Sequence, residues 1–417
     1  MKGDFSRLTF RPGRHYAGVF MQQGRVQLDA DWNEQTAIAM EAVRALARDL
    51  LGPHGGVDGF AVEPHLEARG HPVPWDVTVG AGSYYVEGIR CENAETVPYR
   101  ALTRQLGCDD DGLKEPGAYL AYLDVWDRLI TAVEDPELLE PALGGPDTST
   151  RLQVLWRVRL LDLGSASIPG RRSAEELLVE TFGRTGSASL CARVDPSAGF
   201  TGVENQLYRI EIHAGGDPAN ATFVWSRDNG SIVAPVVAIA GDRIEIVPRS
   251  AQADRFVTGT WVEPEDEVTT LCARTAPLVR IEAVDANGLV TSPPWPLGLE
   301  PGLRRSIRVW DQGAAGDAGR DGAVPLAEGR WIDLDDGIQV WFEEGGDYRT
   351  GDYWLIPARP AVGGIEWPTE AGAPCLRPPA TVEHHRAPLA SLRVGGDGIV
   401  TVTRDHRRLF RPLGRTR

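Results

Sequence analysis

Hydrophobic residues recur at two different periods along this chain. Between Asp29 and Leu50 they fall three or four positions apart, at Trp32, Ile38, Ala42, Val43, Ala45, Leu46 and Leu50, which predicts an amphipathic helix. Asp29 or Asp31 can cap its start, and Glu34 adds negative charge to its first turn. Glu41, Arg44 and Arg48 fall on another face. Gly52-Pro53 stops the helix, glycine supplying the cap and proline forbidding continuation. About twenty residues make a rod of roughly 30 Å. Upstream, residues 1–28 read as an extended arm, broken by a turn at Arg11-Pro12-Gly13.

Beyond Gly56 the period falls to two. Residues 75–79 and 83–87 flank Gly80-Ala81-Gly82 and predict a hairpin. Residues 118–126 and 151–161 are nearly continuous apolar runs, as in central strands. Residues 173–180 predict a short helix. Residues 206–213, 242–247 and 278–283 alternate, and Asn229-Gly230 predicts a tight turn joining two paired strands. Residues 331–334, 338–342 and 353–356 are the last clear strands. The fold expected is mainly β with one long N-terminal helix, multi-domain, with short-stranded sandwich-like or barrel-like units. The expected division is an arm and helix over 1–56, β-rich domains over 57–180 and 181–300, and a C-terminal β-rich domain with a basic tail over 301–417.

Composition narrows the class. The chain has 417 residues, 42% hydrophobic and 24% charged, which excludes a mostly disordered polymer. Its 47 Gly and 30 Pro fit short elements joined by many turns. A formal charge of −16 argues against broad nucleic-acid binding, which needs a basic face. No long apolar run suggests an integral membrane segment. Cys91, Cys108, Cys191, Cys272 and Cys375 are far apart with no CxxC, so reduced, mostly buried thiols are expected. The first residues contain no apolar core of a Sec signal peptide. Synthesis in the cytoplasm is expected, with exit by lysis or inside an assembly.

Candidate chemistry is weak everywhere. Asp29, Asp31 and Asn33 open like a calcium-binding loop, but Glu34 and Met40 stand where that loop needs Gly and Glu. Cys375, His384, His385 and His406 match no zinc spacing. Nucleophile elbows, metalloprotease helices and phosphate-cradling loops are missing. Carboxylate pairs such as Asp124 with Asp127 or Asp335 with Asp336 would serve a glycosidase only if they faced each other across a cleft. Trp126, Trp156, Trp225, Trp341 and Trp354 sit in apolar strands, where core packing is the better reading than a sugar platform. Asn220 and Asn229 open glycosylation-type triplets that turn chemistry also explains. The tail 404–417, with six Arg and one Asp, fits a contact with an acidic surface.

Longer strings carry more information than any motif. Met1-Lys-Gly-Asp-Phe-Ser-Arg-Leu-Thr-Phe10 and Met21-Gln-Gln-Gly-Arg-Val-Gln-Leu-Asp-Ala-Asp-Trp-Asn-Glu34 are two of them. Others are Tyr122-Leu-Asp-Val-Trp-Asp127, Ala132-Val-Glu-Asp-Pro136, Gly144-Gly-Pro-Asp147, Glu204-Asn-Gln-Leu-Tyr-Arg209, Trp225-Ser-Arg-Asp-Asn-Gly230 and the string over 351–359. Together they resemble a bacterial family whose members are similar to components of phage-tail-like contractile injection systems, some carrying a β-helix after this module. The resemblance implies a non-enzymatic structural protein, baseplate-associated, a scaffold, or a fibre or spike adaptor. It implies no catalytic residue, cofactor or metal. The expected partners are copies of itself, a trimer favoured, and other tail or baseplate proteins of the particle. Trp32, Ile38, Val43, Leu46 and Leu50 are the expected interface anchors, since an arm and one helix have no core of their own. The competing expectations are a carbohydrate-binding or glycan-hydrolysing tail-spike-like protein and, less favoured, a cargo or effector carried by the particle.

Overall fold

The computed structural model describes residues 1–105, 112–164, 173–183, 186–247, 252–272, 274–285, 288–296, 298, 303–312, 319 and 321–411. Short strands dominate it, and one long helix, α1 (Asp29–Leu51), follows an arm whose only regular element is a single 3-10 turn, Pro12–Arg14. Multi-domain, β-rich architecture behind one N-terminal helix is therefore the observed fold.

Three main hydrophobic cores organise the described residues, and they are nested in chain order. The outermost body contains a four-stranded antiparallel sheet ordered Val400–Asp405, His385–Val394, Gly117–Ile130, Arg151–Asp162. Its central strand reads as continuous apolar sequence because both faces are covered. Tyr119, Ala121, Leu123 and Val125 enter one core with Phe60, Tyr84 and Leu389. Leu120 and Tyr122 point the other way, onto Leu178 of the helix Ala174–Phe182.

Spliced into this body is a sandwich. A five-stranded sheet, ordered Val324–Pro325, Thr222–Ser226, Gln206–Ala214, Tyr353–Arg359, Gly364–Ile365, and a three-stranded sheet built on Ile338–Phe342 enclose Tyr208, Phe223, Trp225, Phe342 and Trp354. Spliced into the sandwich in turn is a closed barrel. Its order is Val233–Ala240, Arg243–Ile246, Gly288–Ser292, Val279–Asp285, Trp261–Asp266, Arg305–Trp310. Closure leaves the barrel no open edge.

The nesting departs from the consecutive segments 57–180, 181–300 and 301–417. Val394 lies opposite Gly117 in the outer sheet, so the chain returns to its first body only after building the other two.

Two expected hairpins resolve differently. Pro72–Val79 and Gly82–Val86 belong to separate sheets. The hairpin is instead Gly82–Val86 with Ile89–Asn93, turned by Glu87 and Gly88 at φ 48° and 77°. Asn229 and Gly230 do take positive φ, 52° and 63°. The strands on either side, however, leave for the sandwich and the barrel.

Cys91 and Cys191 are buried free thiols and Cys375 a half-buried one. Cys272 is disulfide-bonded, which corrects the all-reduced expectation; Cys108 lies outside the described residues. Among the described residues no helix is long and apolar enough to cross a membrane.

Candidate interaction surface

The arm is tied down residue by residue. Asn229 Nδ2 donates to the carbonyls of Gly3 at 2.8 Å and Met1 at 3.2 Å, and its Oδ1 accepts from Arg209 Nη1 at 3.3 Å. Lys2 Nζ lies 3.0 Å from Glu211 and 5.1 Å from the ring centre of Trp310. Burial alone would raise the Glu211 carboxyl, but the Arg209 and Lys2 cations override it and hold it down at about 2. Arg359 Nη2 donates to the Ser6 carbonyl at 2.6 Å. The arm then runs back to the helix. Ser6 donates to the Asp29 carboxylate through its backbone N–H at 2.9 Å and its hydroxyl, Thr9 donates to Glu34, and the Val19 N–H donates to Gln35 Oε1 at 2.7 Å.

Helix α1 meets the body with its charged side. Arg44 forms a two-point pair with Asp127, Nη1–Oδ2 2.7 Å and Nη2–Oδ1 3.0 Å. Arg48 pairs with Glu41 at 2.6 Å and reaches the Glu87 carbonyl at 3.5 Å. A Cβ on Gly88 would stand 2.2 Å from the Arg44 carbonyl oxygen, so only glycine lets the hairpin turn abut the helix backbone. Ile38, 6% exposed, is the one expected anchor that this side buries.

The other anchors face outward. Trp32 is 67% exposed, Val43 66%, Leu46 60% and Leu50 73%. With the exposed Thr36 and Ala39 they form one line at spacings of four, three, four, three and four residues. Alternating steps of four and three residues are the spacing of a coiled-coil seam. The flanking positions Asn33, Gln35, Met40, Ala42, Ala47 and Asp49 carry a single charge. Phe20 and Val26 on the arm are exposed as well.

The expected anchor set thus splits. Ile38 holds the helix to its own chain, and the remaining four lie on a free face. The sequence contained the signal as a line of alternating four- and three-residue steps from Trp32 to Leu50, on a different side of the helix from Ile38. It did not contain Asp127 or Gly88 as helix contacts, because both lie far away along the chain.

Other candidate groups do not converge. Asp124 takes His384 at 3.0 Å and Arg386 at 3.3 Å, while Asp127 takes Arg44. Asp335 pairs with Arg227 at 2.5 Å, and Asp336 accepts from the Tyr208 hydroxyl at 2.7 Å. His406 bonds Ser391 at 2.7 Å. Among the described residues no three His, Cys, Asp or Glu gather as a metal site. Trp225, Trp354 and Trp126 are buried in the cores or beside them, and Trp156 and Trp341 are half-buried. Two of the tail arginines meet acids of their own chain: Arg407 pairs with Asp405 at 2.7 Å and Arg408 with Glu175 at 2.9 Å.

No curated protein and no solved structure matches the chain. The profile of a family of unknown function (DUF6519) matches residues 1–181 and 174–402. Those two matches cover nearly the whole chain, and the protein belongs to that family.

Proposed function

We propose that this protein is a structural component of a contractile, phage-tail-like injection particle, acting by self-assembly and partner docking rather than by catalysis. Its place there is at the baseplate, as a scaffold or a fibre or spike adaptor, and it reaches that place as part of the particle. The string resemblance supports the particle, and the outward seam of α1 supports assembly.

The seam is the observation that carries the reading. A helix normally buries its apolar stripe and shows its charges to water. Here Arg44 and Arg48 reach inward, to Asp127 and the Glu87 carbonyl, and Trp32, Val43, Leu46 and Leu50 are left without a cover. Each such side chain gains about 1.5–3 kcal/mol on full burial. A second α1 provides the matching surface: a line of alternating four- and three-residue steps packs on another such line, and nearly uncharged flanks raise no repulsion between copies. Met40, Ala42 and Ala47 widen the apolar face beyond a two-stranded seam, which favours three copies around one axis.

The test is the mass of the purified protein in solution, followed by pull-down from native particles. A trimer dispersed by Leu46→Glu, and tail or baseplate proteins on the resin, support the reading. A monomer at every concentration, with none of those proteins retained, overturns it.

A further inference from the structure

An open groove of about 560 Å³ separates the arm from the sandwich. Arm residues from Arg7 to Tyr16 form one wall, and strand Tyr353–Arg359 with the segment after it forms the other.

Its charge runs against that of the molecule. The chain carries −16, yet four arginines, Arg7, Arg11, Arg14 and Arg377, line the groove against two carboxylates. Both carboxylates are already occupied. Glu34 accepts from Thr9, and Glu366 lies 3.3 Å from both Arg7 Nη1 and Arg359 Nε. Arg11, Arg14 and Arg377 form no ion pair among the described residues; Arg14 makes one 3.4 Å contact with the Tyr16 hydroxyl. Cations grouped without counter-charge repel one another, and a bound anion reverses that cost.

Between the arginines the groove is lined by side chains with few rotatable bonds. Pro357, Pro368 and Pro378 line it beside Trp367, whose Nε1 donates to the Cys375 carbonyl at 2.9 Å and so fixes its ring. Such faces suit the C–H side of a sugar ring, with a few polar groups setting orientation.

Backbone geometry separates a sugar from a peptide. An acidic peptide would bind by adding a strand, which needs consecutive open backbone groups. The alternation of the antiparallel ladder turns the N–H and C=O of Leu355, a groove residue, away from its partner strand and onto the open edge. Its neighbours on that edge are taken: Tyr353 exchanges bonds with Ala380 at 2.9 and 2.8 Å, and the Pro357 carbonyl accepts from Glu366 N–H at 2.7 Å. One open residue offers a donor and an acceptor to a ligand hydroxyl or carboxylate, and no strand.

We infer that this groove binds an acidic oligosaccharide, with carboxylates on Arg11, Arg14 and Arg377 and ring faces on Trp367 and the prolines. The inference is independent of whether α1 self-associates.

Fluorescence polarisation with labelled oligogalacturonate tests it, using full-length protein, a neutral malto-oligosaccharide of equal length and labelled oligo-glutamate. The expected result is saturable binding of oligogalacturonate alone, weakened by salt. Arg377→Gln and Arg14→Gln should each lower affinity by about fivefold or more. Arg243→Gln, an exposed arginine on the barrel, should leave it unchanged. No binding, no loss in Arg377→Gln, or equal binding of oligo-glutamate overturns the proposal, the last reassigning the groove to acidic peptides.

Discussion

Arg44 and Asp127 join the middle of helix α1 to the central strand Gly117–Ile130 through two hydrogen bonds of 2.7 and 3.0 Å. Both side chains are largely shielded from water, about a fifth to a quarter exposed. This pair, with Gly88 beneath the helix backbone, decides which face of α1 turns inward.

Removing either contact should therefore loosen the helix and leave the β bodies intact. Asp127→Ala strands a half-buried guanidinium and should cost about 1.5–3 kcal/mol. Gly88→Ala adds a Cβ where the Arg44 carbonyl already stands, at φ 77°, and should cost about 1–3 kcal/mol. Amide hydrogen exchange over 29–51 measures both. Unchanged protection of α1 in the two variants contradicts this account of its docking.

The two faces of α1 should respond differently to mutation. Ile38→Ala opens a cavity against the body and should lower stability by about 2–5 kcal/mol without changing mass in solution. Trp32→Ala, at an exposed site, should change the stability of the isolated chain by about 0.5 kcal/mol or less. Trp32→Ala and Leu46→Glu should instead reduce self-association, read by light scattering across a dilution series. Equal effects on both faces would refute the division.

Asn229 is expected to clamp the arm through its amide. Asn229→Asp tolerates the same left-handed backbone but lacks the Nδ2 donors to Gly3 and Met1. It should cost about 1–3 kcal/mol and expose residues 3–28 to protease. Asn229→Gly, which relieves the turn and also lacks the donors, should behave alike. An arm as resistant as in the parent would show that the clamp is not what holds it.

Glu211 gives a signed pH dependence. Its carboxyl is brought down from the ordinary 4.5 to about 2, so folding keeps it ionised. Stability from this group is full above about pH 4.5 and lost as pH falls toward 2. The shift corresponds to roughly 3 kcal/mol. Glu265, held low by Arg308 against the effect of burial, acts in the same direction. Urea midpoints measured from pH 6 to pH 2 should fall through this window, and Glu211→Gln should flatten the fall. A slope identical to the parent would remove Glu211 as its source.

Much of the local structure was legible. The continuous apolar run at 118–126 lies inside a strand buried on both faces, and the helical period after Asp29 marks a helix beginning at that residue. Asn229-Gly230 is the tight turn its residues specify, yet its side chain holds the arm and its flanking strands do not pair. The hairpin expected around Gly80-Ala81 failed because two strands joined by a short turn can still enter different sheets. The groove escaped notice because Arg11 and Arg377 are hundreds of residues apart.

The sequence by itself determined the periods, and with them which segments became helix or strand, since side-chain spacing acts within a few residues. It also wrote the apolar stripe of Trp32, Val43, Leu46 and Leu50. Only the tertiary structure decided that this stripe faces water and that the three cores nest. Those outcomes hang on pairings such as Arg44 with Asp127 and Gly117 with Val394, in which distant residues meet and no local pattern fixes the partner.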